Sequence, residues 1–240
     1  MEDFNSDEDQ LTPPQPPRVA ARAITLTTLA YRGILEPHAA DPDAVAFWNQ
    51  LRGWYYSLGI EAEAEPEEAA VLNAALGRLQ PQQAINASWR TEGAAVLAWA
   101  LQCYELPAHD ANANIDDICT GLGFMRPAEE TALSTAQLRP AAAIEQYGSV
   151  ALTIHWRLRE YSLRPQALNF VEFVRGAQWG PLSLEGVVVS DHDLAIDGQP
   201  INEADKQAVR VAQSTAQERH QAVNWLMGWA ELYSDVDTGT

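Results

Sequence analysis

The chain has 240 residues, 47% of them hydrophobic, and carries 33 acidic against 15 basic side chains for a net charge of −18. That is enough apolar material for a large core, while so acidic a balance weighs against nucleic acid or an anionic membrane as partner, because both need a cationic footprint. The two cysteines, Cys103 and Cys119, are too few for a disulfide framework or a four-thiolate zinc site.

Residues 1–17 hold five acids, four prolines and no base, the composition of a solvated tail that cannot offset its ordering entropy. The acidic start lacks the basic and apolar regions of a signal peptide. No apolar run approaches the ~20 residues that span a bilayer, so a cytoplasmic protein is expected. Lys206 is the single lysine, and the arginine, alanine and proline bias suggests a bacterial, GC-rich coding region.

Apolar residues at Val19, Ala23, Leu26, Leu29, Ala30 and Ile34 predict an amphipathic helix over 18–36, closed by Pro37. Asp41-Pro42 is an N-cap followed by a proline at the first helical position. The helix it opens carries Trp48, Trp54, Tyr55 and Tyr56, which at helical spacing read as core. The run from Glu61 to Glu68 is the densest acidic stretch. Glu67 and Glu68 suit a first helical turn; Glu61, Glu63 and Glu65 fall in the preceding loop and are candidates for a partner-facing patch. Helices are then predicted over 67–79 and 81–104, a loop over 107–127 with one helical turn near 115–119, a short helix near 128–133, and helices over 139–163 and 166–175.

From 184 to 201 the chain turns β-branched, with Ser190-Asp191-His192-Asp193 and the hairpin signal Asp197-Gly198. One or two small antiparallel strand pairs are expected. A last long helix over 203–233, capped by Asn202 with Asp205 three residues on, is expected to organise the rest. The fold class is mainly α: a multi-helix single domain over 18–240 with a small antiparallel β-hairpin insertion before that helix.

Three blocks carry a resemblance: Trp89-Arg90-Thr91-Glu92 with Leu97-Ala98-Trp99-Ala100-Leu101, His155-Trp156 with Arg159-Glu160, and Glu218-Arg219-His220 with Asn224-Trp225-Leu226 and the C-terminal residues. In this order they resemble the bacterial proteins grouped as domain of unknown function 4272. The resemblance spans about 220 residues, leaves out the acidic tail, and implies a mainly helical fold with no established activity. Gly239 replaces an acid often found near the family's C-terminus, so no role for a terminal carboxylate carries over.

Catalytic signatures are missing. There is no H-E-x-x-H, C-x-x-C, P-loop or G-x-S-x-G, and Asp191-His192-Asp193 with Asp197 has Ala195 where a calcium loop needs a ligand. No metal, cofactor or catalytic residue is therefore assigned. Trp89, Glu92, His155, Arg159, Glu218, Arg219, His220 and Trp225 are expected to form a structural polar network, with arginines paired to carboxylates and tryptophans over guanidinium planes. The functional expectation is a monomeric, non-enzymatic protein that binds a basic protein partner, such as an immunity protein neutralising a toxic nuclease. Glu61, Glu63, Glu65, Asp191, His192 and Asp193 would form its binding face. The competing expectations are an enzyme or ligand binder built on a His155/His220 pocket, and a scaffold or regulator whose acidic tail recruits a partner.

Overall fold

Helix α1 (Pro16–Leu35) is the centre of the molecule in the computed structural model, which describes residues 11–239. It is buried nearly all round from Val19 to Ala30, as a helix at the heart of a core must be. Its polar residues do not mark a solvent face. The Thr25, Thr27 and Thr28 hydroxyls donate to the carbonyls of Ala21, Ala23 and Ile24 at 2.8–2.9 Å, which lets them sit in apolar surroundings. The expected amphipathic stripe is thus only part of what this helix buries, and Ile34, counted in that stripe, is 40% exposed.

Around α1 pack α2 (Pro42–Ser57), α3 (Pro66–Asn73) and α4 (Pro81–Ala100). The α1–α4 approach is close because Gly33 has no side chain: a Cβ there would lie 2.4 Å from the Ala84 carbonyl oxygen and 2.5 Å from the Ser88 nitrogen. Asp41 caps α2 by accepting from the Asp43 N–H at 2.9 Å. Trp48 and Tyr55 are core, Trp54 is half-buried, and Tyr56 is exposed. Short helices α5 (Ile115–Leu122) and α6 (Ala132–Thr135) cover the α1–α4 pair, and α7 (Ala141–Leu163) leads to α8 (Phe170–Gly176). Helix α8 starts later than expected, at Phe170, where the Asn169 side chain accepts from the Glu172 N–H.

The β segment is a three-stranded antiparallel meander of β1 (Val189–Ser190), β2 (Asp193–Ile196) and β3 (Gln199–Pro200). Both connections are two-residue turns with positive φ throughout, Asp191-His192 (45° and 67°) and Asp197-Gly198 (50° and 75°), the geometry that matches strand twist. Every residue of β2 is buried. Leu194, Ile196 and Ile201 pack with Ile154, Leu158, Phe170 and Val209 into a second core.

Helix α9 (Lys206–Leu226) joins both cores, packing against α4 and α7. Its cap is Asp205, which accepts from Gln207 and Ala208 N–H at 2.8 and 3.1 Å; Asn202 is not the cap. The chain leaves helix at Gly228, whose φ is 79°. Residues 11–15 lie against that turn, with Pro14 buried and the Leu11 carbonyl oxygen 2.5 Å from where a Gly228 Cβ would be. They are therefore part of the folded body; the rest of the expected tail, residues 1–10, lies outside the described residues. Among the described residues no helix is long and apolar enough to cross a membrane.

Candidate functional site

Glu92 on α4 and Arg219 on α9 meet in the interior at 2% and 4% exposure. The Arg219 Nε donates to Glu92 Oε2 at 2.9 Å, and Nη2 lies 2.8 Å from the same oxygen. The remaining guanidinium hydrogens go to backbone carbonyls, from Nη1 to Ala108 at 3.0 Å and from Nη2 to Ala111 at 2.7 Å. The other Glu92 oxygen accepts from Asn112 Nδ2 and the Ala113 N–H. One buried ion pair therefore fixes the course of the 107–113 loop, and neither partner keeps a free donor or lone pair of consequence.

The next residue of α9, His220, sits 2% exposed against His155 of α7, which is 4% exposed. Their Nδ1 atoms are 3.0 Å apart, so one proton lies between them. The Asn224 Nδ2 donates to His220 Nε2 at 3.2 Å and to the Asp237 carbonyl at 3.3 Å. His220 Nε2 is then an acceptor, His220 carries its proton on Nδ1, and His155 carries its proton on Nε2. Burial lowers both rings to about 4, helped for His155 by Arg159 and for His220 by its neighbour ring. At neutral pH this is an uncharged, mutually satisfied pair. A cleft lined by Gly148, Ser149, Met227 and Trp229 touches His220 and Asn224 but not His155, so it does not present two histidines to a substrate for acid/base exchange.

Of the other expected members, Glu218 pairs with Arg90 at 3.0 Å, and the Arg90 guanidinium stands 5.6 Å over the Tyr233 ring. Trp225 is buried with Arg18 5.4 Å over it. Trp89 is half-buried beside Glu218 in a polar groove. Arg159 stays exposed and forms no ion pair among the described residues; the arginine of α7 that turns inward is Arg157. Its Nε and Nη2 grip Asp193 at 2.7 and 2.6 Å, and Asp193 also accepts from the Leu168 and Leu194 N–H groups.

That grip corrects the expectation for Asp193, which is 2% exposed and serves as the bolt between the meander and α7. Asp191 and His192 are exposed at the hairpin tip. The Glu61–Glu65 stretch divides in the same way. Glu61 faces solvent. Glu63 pairs with Arg18 at 3.4 Å. Glu65 accepts from the Tyr233 N–H at 2.6 Å and from the Ser234 N–H at 3.2 Å, and forms the capping box of α3 with Glu68. Glu63 thus holds its own turn to α1, and Glu65, 3.7 Å from Arg22, ties the C-terminal segment to α1; the buried Arg22 also grips Glu68 with two hydrogen bonds at 2.7 and 2.6 Å.

A family model described as domain of unknown function (DUF4272) matches residues 4–170. The chain belongs to this family. No curated protein and no solved structure matches it. The DUF4272 match takes in Glu92 and His155 but stops at Phe170. The α9 partners Glu218, Arg219 and His220 lie outside it, as do the C-terminal residues of the resemblance. Among the described residues no three His, Cys, Asp or Glu side chains are grouped to hold a metal ion.

Sequence reasoning missed Arg157, Arg22 and Arg32. A signal existed for the first: Arg157 follows Ile154 by three residues on the inner face of α7, whereas Arg159 points away.

Proposed function

We propose that this DUF4272 protein is a non-enzymatic binding protein for a basic protein partner, of the kind an immunity protein forms with a toxic effector such as a nuclease. The supporting observation is how charge is divided between interior and surface. The fully buried arginines Arg22, Arg32, Arg157 and Arg219 each face a carboxylate, respectively Glu68, Glu36, Asp193 and Glu92. These pairs are internally neutral, so the acidic excess of the described residues lies in the remaining side chains, among them the exposed Glu61, Asp191 and Asp197. A field of that sign speeds encounter with a basic protein and discriminates against acidic ones. A bacterial cytoplasm is the compartment this reading implies.

The face favoured is the meander rim. Asp191 and Asp197 sit exposed in its two turns, and Asp110 is drawn against the second, its Oδ2 accepting from the Asp197 N–H at 2.9 Å. Glu61, earlier in the chain, remains a candidate; Glu63, Glu65 and Asp193 do not, because each is committed to internal partners.

The test is binding to the product of a neighbouring basic reading frame, measured in low and high salt. The expected result is affinity that falls steeply with salt, and falls again in the Asp110→Asn, Asp191→Asn, Asp197→Asn triple variant. Binding indifferent to both would sink the reading.

A further inference from the structure

We propose that the cleft beside His109 is a binding site for a small organic amine with a flat aromatic body. This site is separate from the acidic rim, and its occupation does not depend on the basic-partner reading.

The cleft has a volume of about 450 Å³, set between the 105–109 loop, α7, α9 and the 185–186 segment that precedes β1. That volume is within the range of small-molecule sites. Its walls are apolar: Leu106, Pro107, Val150, Ile154 and Ala216. Two aromatic rings, Trp99 and Tyr147, meet in it at 4.8 Å and 45°, a corner against which a planar body can lie.

The polar groups decide the ligand's chemistry. His109 is 8% exposed, and its Nε2 is 2.7 Å from the Ala195 carbonyl oxygen. A carbonyl only accepts, so Nε2 carries the proton and Nδ1 offers a lone pair. That nitrogen makes no hydrogen bond among the described residues. It is also not among the buried polar atoms left without a partner, and its ring lines the cleft. The Tyr147 hydroxyl lines the same cleft without a hydrogen-bond partner among the described residues, and burial pushes it up to about 12. At the mouth, Glu185 has no ion-pair partner among the described residues, while Gln146 donates to it at 2.8 Å.

The single guanidinium on the wall is Arg219, and its donors are taken by Glu92 and the loop carbonyls. Glu105, also at the mouth, is neutralised by Arg139 at 2.7 Å. The cleft therefore presents acceptors and one uncompensated negative charge, and has no spare cation to hold a phosphate or carboxylate. A ligand that satisfies it brings donors: an ammonium for Glu185 and an N–H or O–H for His109. The same Arg219 lock that fixes the 107–113 loop holds the His109 wall in place before any ligand arrives, so little ordering cost is left for binding.

The test uses the full chain, with tryptamine as probe and indole-3-propionate as the same aromatic body with the opposite charge. Saturable tryptamine binding is expected by calorimetry, roughly tenfold tighter than indole-3-propionate, a difference of ~1.4 kcal/mol. Glu185→Gln is expected to weaken tryptamine by about fivefold, the upper end for a pair open to water, and to leave indole-3-propionate unweakened. Val150→Trp, which fills the cleft, removes binding. If Val150→Trp does not fold, NMR shifts of the Trp99 indole and His109 ring on titration of the parent chain locate the site instead. No saturable tryptamine binding, equal binding of the two probes, binding that survives in folded Val150→Trp, or shifts confined to other residues would each overturn the proposal.

Discussion

Arg219 and Glu92 lie 127 positions apart and share a hydrogen bond of 2.9 Å in the interior between α4 and α9, with a three-carbonyl and one-amide loop wrapped around them. A buried pair contributes little beyond what an apolar pair would, because each ion was taken out of water. Breaking it is another matter, since the survivor stays charged, buried and unpaired. Arg219→Ala is expected to lose about 3–5 kcal/mol in denaturant unfolding. The Glu92→Ala, Arg219→Ala double variant should lose less than the sum of the singles. It should not return to parental stability, because the Ala108 and Ala111 carbonyls and the Ala113 N–H also lose partners.

The two aspartates of the first hairpin separate structural from surface roles. Asp193→Asn leaves Arg157 with half of its anchor and is expected to cost roughly 3 kcal/mol, measured by the shift of the urea midpoint. Asp191→Asn, at φ 45° and exposed, replaces one residue tolerant of that backbone region with another, and is expected within about 0.5 kcal/mol of the parent. A large loss for the second variant would mean that Asp191 has a structural role as well.

Two glycines in helices make opposite predictions. A methyl at Gly33 would meet the Ala84 oxygen at 2.4 Å and the Ser88 nitrogen at 2.5 Å, both backbone, so α1 and α4 would have to separate. Gly33→Ala is expected to lower stability by about 1–3 kcal/mol. Gly53 in α2 has nothing within 4 Å of the same position, and Gly53→Ala is expected to gain up to about 1 kcal/mol from helix propensity alone. Thermal melts of the two variants beside the parent check both signs.

What could be read in advance follows the range of the interaction involved. Asp41-Pro42 and Asp197-Gly198 act through neighbours one to three residues away, and the α2 start and the second hairpin are where those signals placed them. That Arg219 would pair with a carboxylate of a packed helix was legible; that the partner is Glu92, while Glu218 goes to Arg90, was not. Nor was the side chosen by Asp193. Nothing within Ser190-Asp191-His192-Asp193 distinguishes the aspartate that turns in from the one that turns out; the difference is made by Arg157, 36 residues earlier. Glu63 and Glu65 fail for the same reason. An acidic run looks like a surface until Arg18 and Arg22, more than forty residues away, are brought beside it. The central place of α1 was hidden because Arg22, Thr25 and Thr28 suggest a polar face, although each finds internal hydrogen-bond partners.

Stability should fall with acid through the histidine pair. Burial lowers His155 and His220 in the folded chain to about 4, from 6.5 when free. Below 6.5 the unfolded chain takes up protons that the folded chain refuses, so the unfolded state gains relative to the native one as pH drops from about 6.5 to about 4. The full stability is present above that window. The shift corresponds to roughly 3 kcal/mol for the first ring to be charged, and the rings are coupled, so the second does not simply add. Glu36 works in the same direction: burial would raise it, but hydrogen bonds from Arg32 and the Gly77 and Leu79 N–H groups lower it overall, so its stabilisation is lost as pH falls through its folded value. Glu218 opposes both, because burial raises it despite Arg90. The pair's share is isolated by comparing unfolding free energy against pH for the parent and His220→Gln. The variant should be the less stable protein at pH 8, with a shallower decline between 6.5 and 4. Parallel declines would show that the two rings are not what titrates there.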